Sequence, residues 1–150
     1  MKAKLLFTLA FVPIAVMIVY FIVNPSYEKS LEAKYYYETG AYKKAYALAS
    51  KAFDADPYNR MASTIMAQSK ISMKYQEYID QAAAYMQVIN TMIEQESLDD
   101  SDRIKIKMMS EIMVDSYKKL ASSVVTNEAL VEKAQHYYEN FKQILEKVNH

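Results

Sequence analysis

YYYETGAYKKAYALASKAFDADPYN, residues 35–59, holds the only glycine of a 150-residue chain, Gly40. Every other connection is made without one, so the backbone at Gly40 is expected to adopt a conformation that other residues reach only at a cost. On its N-terminal side, Ser26 to Thr39 contains no breaker, and Pro25 suits the first position of a helix. On its C-terminal side, Tyr42 to Ala55 is a second helical run, closed by Asp56-Pro57-Tyr58-Asn59. Two helices of similar length joined by a tight glycine turn predict a helical hairpin.

The rest of the composition agrees with an all-α chain. One glycine and three prolines are too few for the turns of an all-β protein, and the Ala, Lys, Glu, Met and Leu content is good helix material. The 18 basic and 18 acidic residues balance, so no concentrated basic face for nucleic acid is expected. Without cysteine there is no disulfide, thiolate metal site or lipidated cysteine anchor.

Residues 1–24 read as a transmembrane signal-anchor and 25–150 as a separate helical domain. Lys2 and Lys4 precede Leu5 to Val23, 19 residues without a charge, and about 20 apolar residues span a bilayer core. A cleaved signal peptide is the competing reading. It requires small residues at its exit, and the exit here is Tyr20-Phe21-Ile22-Val23-Asn24-Pro25. The short basic tail favours a cytoplasmic N-terminus with the body exported. The body carries 16 basic and 18 acidic residues, a net charge of −2, and no polybasic patch.

With Ser26 as its first position, the hairpin resembles a tetratricopeptide repeat (TPR), a 34-residue helical hairpin, at Ala33, Tyr36, Gly40, Tyr42, Ala45, Ala52 and Pro57. The alanines let two helices approach, the tyrosines fill the volume beside them, Gly40 turns the corner and Pro57 stops the second helix. Lys29 and Glu32 depart from the pattern, which expects a large aromatic and a bulky aliphatic residue there. A solitary hairpin cannot bury its apolar face, so the resemblance implies a TPR-like stack of about three hairpins, roughly 26–55, 59–95 and 102–147. The middle one is degenerate, since no glycine precedes Tyr75 and Tyr78 stands where a small residue is expected, and one unbroken helix is the alternative. Ile104, Met108, Met109, Ile112, Met113, Tyr117, Leu120 and Val124 are expected to form one apolar stripe, and Leu130, Ala134, Tyr137, Phe141, Ile144 and Val148 another.

Catalytic chemistry is not expected. His136 and His150 are the only near-neutral proton carriers, and two distant histidines without cysteine do not suggest a zinc site. The acidic group Glu94, Glu96, Asp99, Asp100 and Asp102 lacks the glycine and closing glutamate of a calcium loop. It reads as a solvated, helix-capping loop. The expectation is a non-enzyme without cofactor, metal or small-molecule substrate.

The resemblance implies a protein-binding groove along the first helix of each hairpin, which places Tyr27, Lys34 and Tyr37, then Thr64, Gln68 and Ile71, towards a partner. Only Lys34 and Gln68 could grip a peptide's terminal carboxylate, so that clamp is not expected. The layout is similar to small single-pass repeat proteins of bacterial envelope complexes, such as flagellar motor accessory structures and secretion machinery. It implies a scaffold in the inner membrane, with its N-terminus cytoplasmic and its domain periplasmic. A periplasmic holdase-like assembly chaperone is the alternative.

Overall fold

The computed structural model describes residues 11–20, 24–94, 99–120 and 127–148. Within them the chain is all-helical: α1 (Phe11–Tyr20), α2 (Pro25–Glu38), α3 (Tyr42–Ala55), α4 (Arg60–Ile93), α5 (Asp100–Lys118) and α6 (Glu128–Val148), with no strand among the described residues. It divides into two compact units, Met1–Lys70 and Ile71–His150, with α4 running through the boundary.

Every large apolar side chain of α1 is exposed, from 53% at Ile18 to 71% at Phe11. Among the described residues no single helix is long and apolar enough to cross a membrane; α1 and α2 meet that length and composition only as a pair bent by 68°. The expected span, residues 5–23, lies partly outside the described residues.

In the first unit, Asn24 caps α2 by accepting from the Ser26 backbone amide at 3.0 Å, with Pro25 in the first turn. The helix ends in a Schellman arrangement. Ala41 N–H reaches Tyr36 C=O at 2.8 Å, Gly40 N–H reaches Tyr37 C=O at 3.1 Å, and Gly40 takes a φ of +82°. No other described residue has a positive φ. The chain then turns directly into α3, which buries Tyr42, Ala45, Ala49 and Ala52 at three- and four-residue spacing. The facing residues of α2 are equally small: Ser26, Ser30 and Ala33.

Ala33, Ala45, Ala49 and Ile65 form the centre of this core, with Tyr36, Tyr37, Leu48, Met61 and Met66 packed against it. Each alanine buries little more than a methyl, so the larger side chains carry most of the burial energy: a fully buried Ile is worth about 1.5–3 kcal/mol. The turn after α3 is built by Asp56, whose carboxylate accepts from Tyr58 N–H at 3.0 Å. Asn59 then caps α4 by accepting from Ala62 N–H at 3.2 Å.

The stretch 59–95, expected as a degenerate hairpin with one unbroken helix as the alternative, is the single 34-residue helix α4 over Arg60–Ile93. It contains neither glycine nor proline, and its Ala, Met, Gln and Lys residues favour helix throughout. Tyr75 and Tyr78, which a second hairpin would place just after its corner, are both buried along α4.

In the second unit α5 and α6 pack together. Asp99 caps α5 through Asp102 N–H at 2.7 Å, and Asn127 caps α6 through Ala129 N–H at 3.0 Å. The buried residues of α6, Leu130, Ala134 and Phe141, lie in the expected stripe. The expected stripe of α5 holds in part, with Met113 buried and Met109, Tyr117 and Leu120 half-buried, and needs correction at its other positions. The helix buries Ile106, Ser110 and Met113, whereas Ile104, Met108 and Ile112 are exposed. The latter three form a ridge at four-residue spacing on a different face from Ile106 and Met113. Val124 lies outside the described residues.

Candidate functional site

A groove of about 350 Å³ opens in the first unit between α2 and the start of α4, lined by Lys34, Tyr37, Glu38, Arg60, Met61, Thr64, Ile65 and Gln68. Helix geometry explains who takes part. Lys34, Tyr37 and Glu38 follow one another at i, i+3 and i+4 on α2. Arg60, Thr64 and Gln68 stand at i, i+4 and i+8 on α4, with Met61 and Ile65 one position on. Tyr37 is held by the core beneath it and by an edge-on contact with Tyr42, 5.5 Å between ring centroids. Its exposed part, with Met61 and Ile65, gives the groove apolar walls under a polar rim.

Four of the six residues chosen from the sequence, Lys34, Tyr37, Thr64 and Gln68, thus line one groove. Tyr27 is half-buried on α2 and does not line it, and Ile71 belongs to the second unit. Arg60 was missed. Its signal was available, since it precedes Thr64 and Gln68 by four and eight residues, one helical face.

The rim's charges are unequal. Lys34 Nζ lies 3.7 Å from Glu38 Oε1, an exposed pair that adds at most a few tenths of a kcal/mol. Arg60 is exposed and has no carboxylate partner among the described residues. Its position at the first residue of α4 adds positive charge to the positive end of the helix dipole.

The tyrosines of the second unit form a separate cluster. Tyr117 stacks on Tyr138 at 4.4 Å and meets Tyr78 at 5.7 Å. Tyr78 is only 4% exposed, and its hydroxyl has no partner among the described residues. Burial, then the neighbouring Tyr117 and Tyr138, push its pKa well above the ordinary 10. Burial also raises Tyr75 and Tyr117, with Tyr75, Glu139 and Tyr138 adding to the effect at Tyr117.

Among the described residues no three His, Asp or Glu side chains converge as metal ligands. His136 is exposed and lies 3.2 Å from the Asn140 amide; His150 and Glu96 are outside the described residues. Asp99 is occupied as the cap of α5.

No protein-family model matches the chain, and neither the curated proteins nor the solved structures yield a significant match.

Proposed function

We propose that the chain is a membrane-anchored, TPR-like adaptor without catalytic activity, which holds a protein partner in the groove between α2 and α4. The observation that carries this reading is the meeting of Lys34, Tyr37, Thr64 and Gln68 around apolar walls. A pre-positioned aromatic ring beside polar groups suits a peptide segment, because the ring provides buried area and the rim fixes direction. The α2–Gly40–α3 hairpin, with small residues at Ala33, Ala45 and Ala52, supports the repeat-like part.

The anchor is supported by the uncharged run Leu5 to Val23 and by the exposure of α1 around its whole circumference. Ten residues of helix cover about 15 Å, roughly half of a hydrocarbon core. The location that follows is the inner membrane of a bacterial envelope, with the domain on the periplasmic side and the partner in a membrane complex of the flagellar or secretion kind. Tethering the groove to the bilayer raises its effective concentration towards other membrane-held proteins.

The test is recovery of a stoichiometric partner from detergent-solubilised membranes, comparing the native chain with Lys34→Ala/Tyr37→Ala. Recovery should fall at least severalfold while helical content and membrane retention stay unchanged. Undiminished recovery refutes the groove as the interface.

A further inference from the structure

Resting on the groove reading above, we infer that the segment it accepts is acidic: an extended stretch with an aspartate or glutamate side chain two residues from an aliphatic or aromatic one. The charge balance supplies the first argument. Lys34 is already matched by Glu38, which leaves Arg60 as the groove cation without a carboxylate among the described residues. No unmatched anion stands in the lining to welcome a basic segment.

The placement of Arg60 supplies the second. A cation at the first position of a helix opposes the dipole, and α4 has no acidic residue in its first turn to relieve it. A carboxylate arriving beside Arg60 meets both the guanidinium, whose fork matches two carboxylate oxygens, and the positive end of α4. It supplies from outside what the helix lacks.

The third argument is spacing. Ile65 follows Arg60 by five residues, about 7.5 Å along the axis of α4 and about 140° around it, and the long Arg60 side chain shares the groove lining with Ile65. Two residues of extended chain cover about 6.7 Å and point to the same side. An acid over Arg60 therefore sets the residue two places away against Tyr37, Met61 and Ile65.

Panning a random heptapeptide library, displayed with blocked C-termini, against the full-length chain in lipid nanodiscs tests this. The native chain should enrich Asp or Glu two residues from an apolar side chain. Arg60→Glu should weaken such peptides about tenfold and, when panned itself, enrich Lys or Arg in place of the acid. Glutamate favours the first turn of a helix, so this variant keeps its fold. Enriched peptides that are lost with Tyr37→Ala yet indifferent to Arg60→Glu overturn the acidic partner and leave the groove standing. Indifference to both substitutions, or no enrichment, overturns the groove as well.

Discussion

The Asn59 side-chain amide donates to Ser26 Oγ at 2.9 Å, joining two fully buried residues 33 positions apart. The same amide reaches Ser30 Oγ at 3.2 Å, while Ser26 Oγ donates to Ala52 C=O at 2.7 Å. Asn59 and Ser26 together thus tie α2, the end of α3 and the start of α4, and the Asn59 side-chain oxygen caps α4. Asn59→Leu removes the cap and the shared donor together. We expect a loss of about 2–3 kcal/mol, read as a clear fall in the thermal midpoint by circular dichroism. A midpoint within a degree or two of the native one would show that the network contributes little.

Gly40 separates conformational strain from crowding. Its φ of +82° is costly for side chains, yet a Cβ built there meets nothing within 4 Å. The penalty should therefore follow backbone preference alone: Gly40→Ala about 1 kcal/mol, Gly40→Val more, and Gly40→Asn least. Thermal unfolding of the three variants checks the order, and an equal cost for all three contradicts it.

How much of this was legible in the sequence depends on how local each signal is. The corner at Gly40 and the stop at Asp56-Pro57 are written in neighbouring residues, so both could be placed directly. Lys34, Tyr37, Thr64 and Gln68 were reachable from helical spacing. Arg60 was passed over because it sits where the turn ends and the periodic pattern has barely begun. The Asn59 network was not legible, since its partners lie 29 and 33 residues away and no local pattern links them. The face of α5 was misjudged because apolar residues occur on two of its sides, and spacing alone does not say which one finds a neighbour.

Tyr78 makes a prediction about alkaline stability. Its pKa is raised in the folded chain relative to the ordinary 10 of the unfolded one. Its contribution is therefore fully present below about pH 10 and is lost as pH climbs from there towards the folded value. Urea unfolding between pH 9 and 11 should show stability falling, and the fall should be shallower in Tyr78→Phe. At neutral pH that variant should be unchanged or up to about 1 kcal/mol more stable, because it removes a buried hydroxyl without a partner. A loss of stability would show that the hydroxyl is bonded in solution.

The continuity of α4 can be tested at Lys74, an exposed residue within it. In an unbroken helix Lys74→Pro deletes a backbone hydrogen bond and clashes with the preceding turn, at a cost of about 3 kcal/mol. In a hairpin corner before Tyr75 the same change would be tolerated. Circular dichroism should show lost helicity and a much lower midpoint; native behaviour would restore the two-helix reading.

The anchor is tested by a charge at the centre of the uncharged run. Ile14 is midway between Leu5 and Val23 and is 54% exposed on α1. If residues 5–23 sit in lipid, the native chain should stay in the membrane pellet after carbonate washing, with residue 1 still attached. Ile14→Lys then places an ammonium at the bilayer midplane, at about 2.5–3.5 kcal/mol on insertion scales. That is enough to move a substantial fraction of a single-span protein into the supernatant. A conservative Ile14→Leu control should remain in the pellet. Release of the native chain by carbonate, or a mature N-terminus near Asn24, would mean that the apolar surface of α1 serves something other than a retained span.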